Sequence, residues 1–136
     1  MGEHMQIGEV AERTGLSLRT IRYYEEVGLA VPSARSQGGF RLYTQSELDR
    51  LHLIMRMKPL GFQLEEMREL LEVLDPDHTT GKPLTASQRR ARLREYTGTA
   101  EERCTKLRAT LATAEEFADM LRTRLHTMQS TRSDQS

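Results

Sequence analysis

The sequence predicts an all-α fold with one small β-hairpin, in which a compact N-terminal domain precedes a long coiled-coil helix. Three observations support this prediction. Helical segments between residues 7 and 74 begin at capping residues or end at glycines. Paired glycines precede alternating aromatic and basic residues at 38–43. Apolar or small residues then recur at heptad spacing from residue 93 to residue 128.

Length and charge fit a small domain with an appendage. The chain has 136 residues, and its Lys+Arg 20 balance its Asp+Glu 20. The charge is nevertheless segregated along the chain. Residues 13–58 hold eight basic and four acidic groups, and residues 82–94 hold five basic and no acidic groups. Such segregation indicates a face that binds an anion.

Several classes of protein lose support from the sequence. No apolar run approaches the ~18 residues of a transmembrane helix. No basic-then-apolar leader opens the chain, so we expect a cytoplasmic protein. Cys104 is the single cysteine, so neither an internal disulfide nor a multi-cysteine metal site is expected. No nucleophile–base pair or phosphate-binding glycine loop is present, so we expect no enzyme, cofactor or metal.

The first two helices have the spacing of a helix-turn-helix. Residues 7–14 place apolar side chains on one face, and Gly15 then ends the helix because it tolerates positive φ. Ser17 caps a second helix from about Leu18 to Val27. Two helices joined by a short glycine turn are typical of DNA-binding domains.

The elements that follow complete a domain over residues 5–75. Gly38 and Gly39 precede Phe40-Arg41-Leu42-Tyr43, which predicts a β-hairpin wing. Thr44 and Glu47 form a capping box that opens a third helix, and residues 64–74 form a fourth. A polar, proline-containing stretch at 76–84 reads as a linker.

The C-terminal segment predicts a dimerisation helix over residues 85–128. Its stripe is too long to bury against a domain of about 75 residues, so we expect it to pack on a second copy of the chain. Residues 129–136 are polar and predicted to be a disordered tail. The predicted seam comprises Ala100, Cys104, Leu107, Leu111, Ala114, Ala118, Leu121 and Leu125.

The second helix carries the predicted DNA contacts. Helical spacing turns Ile21 and Tyr24 inward, which leaves Arg19, Arg22 and Tyr23 on the outer face. Arginine can bridge guanine O6 and N7 in the major groove or bind phosphates. We also expect Arg41 and Tyr43 in the wing, and Lys58 at the end of the third helix, to contact the DNA backbone.

The ordered motifs resemble those of the mercury-resistance-regulator (MerR) family of bacterial transcription factors. They are Gly8-Glu9-Val10-Ala11, Thr20-Ile21-Arg22-Tyr23-Tyr24-Glu25, Gly28-Leu29, Gly38 to Tyr43 and Leu60-Gly61-Phe62. The resemblance implies a winged helix-turn-helix domain, an antiparallel coiled-coil homodimer, and a pseudo-palindromic promoter site whose over-long spacer is distorted for RNA polymerase. It adds Ser17, Thr20, Tyr24 and Arg35 as secondary DNA contacts.

Only eight residues follow the predicted coiled coil, so we expect a short form without a C-terminal ligand domain. The paired cysteines of the family's metal-sensing and redox members are absent as well. Cys104 is a candidate sensor, although a small buried seam residue is the simpler interpretation. The sequence does not identify an effector, the target genes, or activation against repression.

A second interpretation stays open from the sequence. The chain could be a coiled-coil adaptor whose winged domain binds a protein partner. The two interpretations differ in their dependence on salt, because Lys and Arg contacts with phosphates require affinity for duplex DNA to fall steeply as salt rises.

Overall fold

A computed structural model describes residues 4–79 and 81–134 of the chain. The described residues form five α-helices, three short β-strands and two 3-10 turns. The chain divides into two compact units, the first ending at Tyr96 and the second beginning at Thr97. The predicted fold class, all-α with a small β wing and a long C-terminal helix, is confirmed.

Helices α1 (Ile7–Thr14) and α2 (Leu18–Glu26) form the predicted helix-turn-helix. Gly15 takes a left-handed conformation with φ 78°, and its N–H donates to the carbonyl of Ala11 at 2.8 Å. The Ser17 hydroxyl then accepts the backbone N–H of Thr20 at 3.1 Å. A left-handed C-cap at Gly15 and an N-cap two residues later reverse the chain between the two helices.

The wing belongs to a three-stranded antiparallel sheet of order β1-β3-β2. Strands β2 (Ala34–Arg35) and β3 (Arg41–Tyr43) form the predicted hairpin. Strand β1 (Met5–Gln6) pairs with the other edge of β3, with Met5 opposite Tyr43. The sequence analysis did not predict this strand, because two residues carry no local strand pattern and their partner lies almost forty residues away.

Helices α3 (Gln45–Met57) and α4 (Leu64–Leu74) complete the core of the first unit. Thr44 caps α3 by accepting the N–H of Glu47 at 3.3 Å. A 3-10 turn, Lys58–Leu60, separates the helices. The largest fully buried side chains come from α1, α2, α3, α4, β3 and the loop after α2: Val10, Ile21, Leu29, Tyr43, Leu51, Ile54 and Leu71.

Two buried charged side chains of α3 hold the loop that connects α2 to the wing. The Glu47 carboxylate accepts the backbone N–H of Ser33 at 2.9 Å. Arg50 donates through Nε to the carbonyl of Leu29 at 2.7 Å and through Nη1 to Asp75 at 3.1 Å. Burial of both charged side chains is tolerated because each is paired. Their contacts with Leu29 and Ser33 anchor the two ends of this loop to α3.

Helix α5 (Ala86–Asp134) begins inside the first unit, which differs from the predicted division. The sequence predicts a first domain that ends at residue 75 and a dimerisation helix that begins at residue 85. Instead, Arg92 pairs with Glu72 at 2.6 Å, and Tyr96 is 8% exposed with its ring 5.9 Å from that of Phe62. Burial of Tyr96 joins the first turns of α5 to the N-terminal core. The predicted linker also contains a 3-10 turn, Pro76–His78.

The predicted disordered tail is wrong for residues 129–134, which continue α5. Residues 129–134 contain neither Gly nor Pro, the two poorest helix formers, and a helix does not require a continuing apolar seam. The side chain of Thr131, for example, bonds back to the carbonyl of Thr127 at 3.0 Å. Residues 135 and 136 of the predicted tail lie outside the described residues.

Within the second unit, the predicted seam follows one stripe of α5. Ala100 and Cys104 are half-buried, whereas every seam residue from Leu107 onward is exposed in the single chain. Leu111, for example, is 58% exposed. Pairing of this stripe with a second chain stays a prediction.

Candidate nucleic-acid interface

The outer face of α2 carries the three side chains predicted to enter the major groove. Ile21 and Tyr24 are buried against the core, which fixes the rotation of the helix about its axis. Arg19 and Arg22 are consequently exposed, and Tyr23 is 48% exposed. Two guanidinium groups and a phenol thus share one solvent-facing stripe of a nine-residue helix.

The N-terminus of α2 is closed by Ser17 and Thr20, both predicted as secondary DNA contacts. Besides capping the helix, the Ser17 hydroxyl lies 2.8 Å from that of Thr20. Ser17 is exposed, and Thr20 is half-buried. These side chains therefore organise the helix start, where the backbone dipoles favour an anion such as a phosphate.

The wing projects a tight tip between β2 and β3. Ser36 and Phe40 are joined by a backbone hydrogen bond of 2.9 Å, and Gly39 adopts a positive φ of 82°. Phe40 follows this turn and is 60% exposed. The glycine allows the chain to reverse without a Cβ clash.

The carboxylate of Glu25, on α2, binds both arginines of the wing. Arg35 donates through Nη2 to Oε1 at 2.7 Å, and Arg41 donates through Nε to Oε2. The hydrogen bond to Glu25 raises the pKa of Arg41 above its ordinary value. Arg35 and Arg41 are partly exposed, so the ion pairs leave part of each guanidinium open to solvent.

Tyr24 and Tyr43 were expected to contact DNA, and the structure contradicts both expectations. Tyr24 is 3% exposed and Tyr43 is fully buried, with both hydroxyls enclosed. Burial, and then the negative charge of Glu25, raise the pKa of Tyr43 to about 12. Helical spacing had already turned Tyr24 inward. In the wing, Tyr43 lies opposite Met5 of β1, the strand that the sequence analysis did not predict.

Lys58 is exposed at the end of α3, where it opens the 3-10 turn. Its position is compatible with the predicted contact with the DNA backbone, which stays a prediction. Pro59 lies in the first turn of the 3-10 helix, and Gly61 ends that helix with φ 72°. The segment after Lys58 is therefore constrained by both residues.

Sequence reasoning missed two side chains of this surface. The sequence predicts Phe40 only as part of the hairpin pattern, and its position directly after Gly38-Gly39 is the signal that it lies at the tip. Glu25 enters the sequence analysis only as part of a family motif and of the charge balance, with no contact predicted for it. Opposite charges at positions 25, 35 and 41 were visible in the sequence, but their meeting depends on how the sheet packs beside α2.

The described residues were searched for metal-ligand clusters and for membrane-spanning helices. Within residues 4–79 and 81–134, no three His, Cys, Asp or Glu side chains are grouped as metal ligands. In the same part of the chain, no helix is long and apolar enough to cross a bilayer. Cys104 is a half-buried free thiol on α5.

Two family descriptions match the chain where these elements lie. "MerR HTH family regulatory protein" matches residues 5–74, and "MerR, DNA binding" matches residues 48–123. The chain belongs to the MerR family. The resemblance inferred from the motifs is thereby confirmed, and proteins of this family are transcriptional regulators.

Named relatives and solved structures agree with this membership. The mercuric resistance operon regulatory protein of Bacillus cereus is 49% identical over 72 residues, which are 53% of this chain and 54% of that protein. The chain thus matches about half the length of this curated relative. A structure from Listeria monocytogenes described as a MerR family regulator has a TM-score of 0.66 at 25% identity, covering 96% of this chain and 95% of that one.

A further structure shares the fold at lower identity. It is described as HiNmlR, a MerR family regulator lacking the sensor domain, bound to promoter DNA. Its TM-score is 0.63 at 22% identity, and the alignment covers 96% of this chain and 94% of that chain.

Proposed function

We propose that the chain is a sequence-specific transcriptional regulator that binds double-stranded promoter DNA as a homodimer. One observation carries the proposal: Arg19, Arg22 and Tyr23 form a solvent-facing stripe on a helix whose opposite face is locked into the core. Such a stripe suits the major groove, where arginine reads guanine by two hydrogen bonds. Membership of the MerR family supports the same function.

The wing and Lys58 would add contacts with phosphates on either side of the groove. Arg35, Arg41 and Lys58 are at least partly exposed cations on elements flanking α2. Phosphate contacts orient a protein on the duplex without reading its sequence. They also offset the cost of bending a site, which is on the order of 1–6 kcal/mol.

Two copies of the chain would place two α2 helices on one pseudo-palindromic site. The exposed stripe of α5 from Leu107 to Leu125 supports pairing of two chains. We propose that the dimer distorts the spacer between promoter elements and thereby controls RNA polymerase. The long contiguous stripe fits a coiled coil better than a contact within one chain.

Substitution of Arg22 tests the proposal. Arg22→Ala is expected to weaken binding to a duplex selected by the wild-type chain from a random library by about 1–3 kcal/mol, with relaxed sequence preference. Arg122→Ala is the matched control, because it removes an exposed arginine that pairs with Asp119 in the second unit. Affinity is measured by fluorescence anisotropy at several salt concentrations.

Three results would contradict the proposal. The wild-type chain could select no sequence, or Arg22→Ala could leave both affinity and preference unchanged. Retention that does not depend on duplex DNA would instead favour the adaptor, whose winged domain binds a protein. For a regulator of this kind, affinity for DNA must fall steeply with rising salt. Binding releases condensed cations from the phosphates, and that release is less favourable when the salt concentration is high.

A further inference from the structure

The strand register of the wing places two like charges directly opposite each other. Arg35 of β2 and Arg41 of β3 are Cα partners in the antiparallel pair. Side chains at paired positions lie on the same face of a sheet, and like charges there repel each other. The hairpin alone therefore does not favour this arrangement, and a neutralising group is needed to hold both arginines in place.

Glu25 supplies that group from α2, the helix proposed to enter the major groove and hereafter called the recognition helix. Each of its carboxylate oxygens accepts from a different wing arginine, Oε1 from Arg35 and Oε2 from Arg41. The carboxylate side chain is only 15% exposed, whereas the arginines are 47% and 28% exposed. The acid thus sits beneath two cations, and solvent reaches the cations more readily than the acid.

The contact joins two elements that would touch different parts of a DNA site. Glu25 lies one helical turn from Arg22 on α2, close to the proposed groove contacts. A guanidinium has five N–H donors, so an ion pair through one nitrogen leaves other donors to bind phosphate. Glu47 and Arg50 already anchor the loop between α2 and β2, whereas Glu25 holds the strands next to the wing tip.

We propose that Glu25 is a positioning residue, which fixes the wing arginines relative to the recognition helix and so sets sequence specificity rather than total affinity. This inference rests on the proposed function in DNA binding. A wing at a fixed distance from α2 binds phosphates in one register only. A released wing binds phosphates of any sequence, because phosphate contacts carry no sequence information.

The test compares Glu25→Gln with Glu26→Gln on two duplexes. One duplex is selected from a random library by the wild-type chain, and the other is a random sequence of equal length. Both variants remove one negative charge, and Glu26 is the exposed neighbour on the same helix. Glu25→Gln is expected to lower the ratio of specific to random affinity at least fivefold, whereas Glu26→Gln leaves the ratio within twofold of wild type.

A second variant separates geometry from charge. Glu25→Asp keeps the charge but shortens the side chain by one methylene group, so it cannot span both arginines in the same positions. It is expected to lower the specificity ratio as well. In a chain that carries Arg35→Gln and Arg41→Gln, the further change Glu25→Gln is expected to leave the remaining ratio unchanged, because the acid acts through those arginines.

The outcomes distinguish this inference from the proposed function. If the wild-type chain selects no sequence, the proposed function fails and the inference fails with it. If the wild-type chain is specific but Glu25→Gln and Glu26→Gln alter the ratio equally, only the inference is overturned. A Glu25→Gln chain that loses both affinities in proportion, with a lower thermal midpoint by circular dichroism, would reduce Glu25 to a structural role and also overturn it.

Discussion

Tyr43 shows how a single side chain can resemble a DNA contact in sequence and serve the core in structure. It ends the aromatic and basic alternation of the wing, yet its ring is fully buried. Its hydroxyl is enclosed without a hydrogen-bond partner among the described residues. A buried hydroxyl without a partner costs stability, because its hydration is lost and nothing replaces it.

Replacement of this hydroxyl is therefore expected to stabilise the protein. Tyr43→Phe should raise the free energy of unfolding by about 1 kcal/mol at neutral pH, as measured by urea denaturation. Tyr43→Phe should leave affinity for the selected duplex unchanged. Tyr23→Phe, which removes a hydroxyl from the exposed face of α2, is the comparison variant. A loss of DNA affinity on removal of the Tyr43 hydroxyl would restore it to the interface.

The same residue predicts a pH dependence at alkaline pH. Burial raises the pKa of Tyr43 from its ordinary 10 to about 12, so the unfolded chain releases this proton first. The contribution of protonated Tyr43 to the free energy of unfolding is complete below pH 10. It is lost as pH rises to 12, at about 1.4 kcal/mol per pH unit. Stability of Tyr43→Phe should fall less over this range, and parallel curves for the two proteins would contradict the raised pKa.

At the scale of single elements, the helices could be predicted because their boundaries are written locally. Gly15, Ser17 and Thr44 end or cap helices where the sequence analysis placed them. Elements made by distant residues could not be predicted. Strand β1 exists only because it pairs with β3, and Tyr96 docks on Phe62 more than thirty residues away.

The residues of the candidate site likewise fall into those that local sequence predicts and those that depend on distant contacts. The outer face of α2 follows from helical periodicity, and the exposure of Arg22 and Tyr23 agrees with it. Tyr43 and Glu25 depend on how the sheet packs beside α2, which no local pattern encodes. Charge counts along the chain include both the wing arginines and Glu25, but they do not show that these residues meet.

The wing tip offers a prediction for an element as a whole. Gly39 has φ 82°, which an alanine adopts only at a cost of about 1–2 kcal/mol. Gly39→Ala is expected to loosen the hairpin and to weaken DNA binding three- to tenfold, since Arg35 and Arg41 lose their fixed spacing. The thermal midpoint should fall by at most about 4–8 °C per kcal/mol of this cost, because no buried side chain of the core is altered.

Gln37→Ala is the matched control at the same tip. Gln37 is exposed, and positive φ is confined to glycines among the described residues. The control should bind DNA as the wild-type chain does, by the same anisotropy assay. Equal losses in both variants would show that the tip acts through its side chains and not through the backbone conformation of Gly39.

For the whole molecule, the remaining question is whether two chains pair along α5. Leu111 lies at the middle of the predicted seam and is 58% exposed in the single chain. A carboxylate at this position would be buried between two helices, and burial of an unpaired charge is costly. Leu111→Glu is therefore expected to convert a dimer into monomers at micromolar concentration, as measured by multi-angle light scattering.

Ala109→Glu supplies the control for added charge on the same helix. At ~100° per residue, position 109 lies about 200° around the helix from Leu111, on the face away from the seam. This variant should remain a dimer. Because two α2 helices must reach one duplex together, Leu111→Glu should also lose most of its affinity for a pseudo-palindromic site while keeping its affinity for a half-site. A Leu111→Glu chain that stays dimeric would show that the heptad stripe is not where the chains meet.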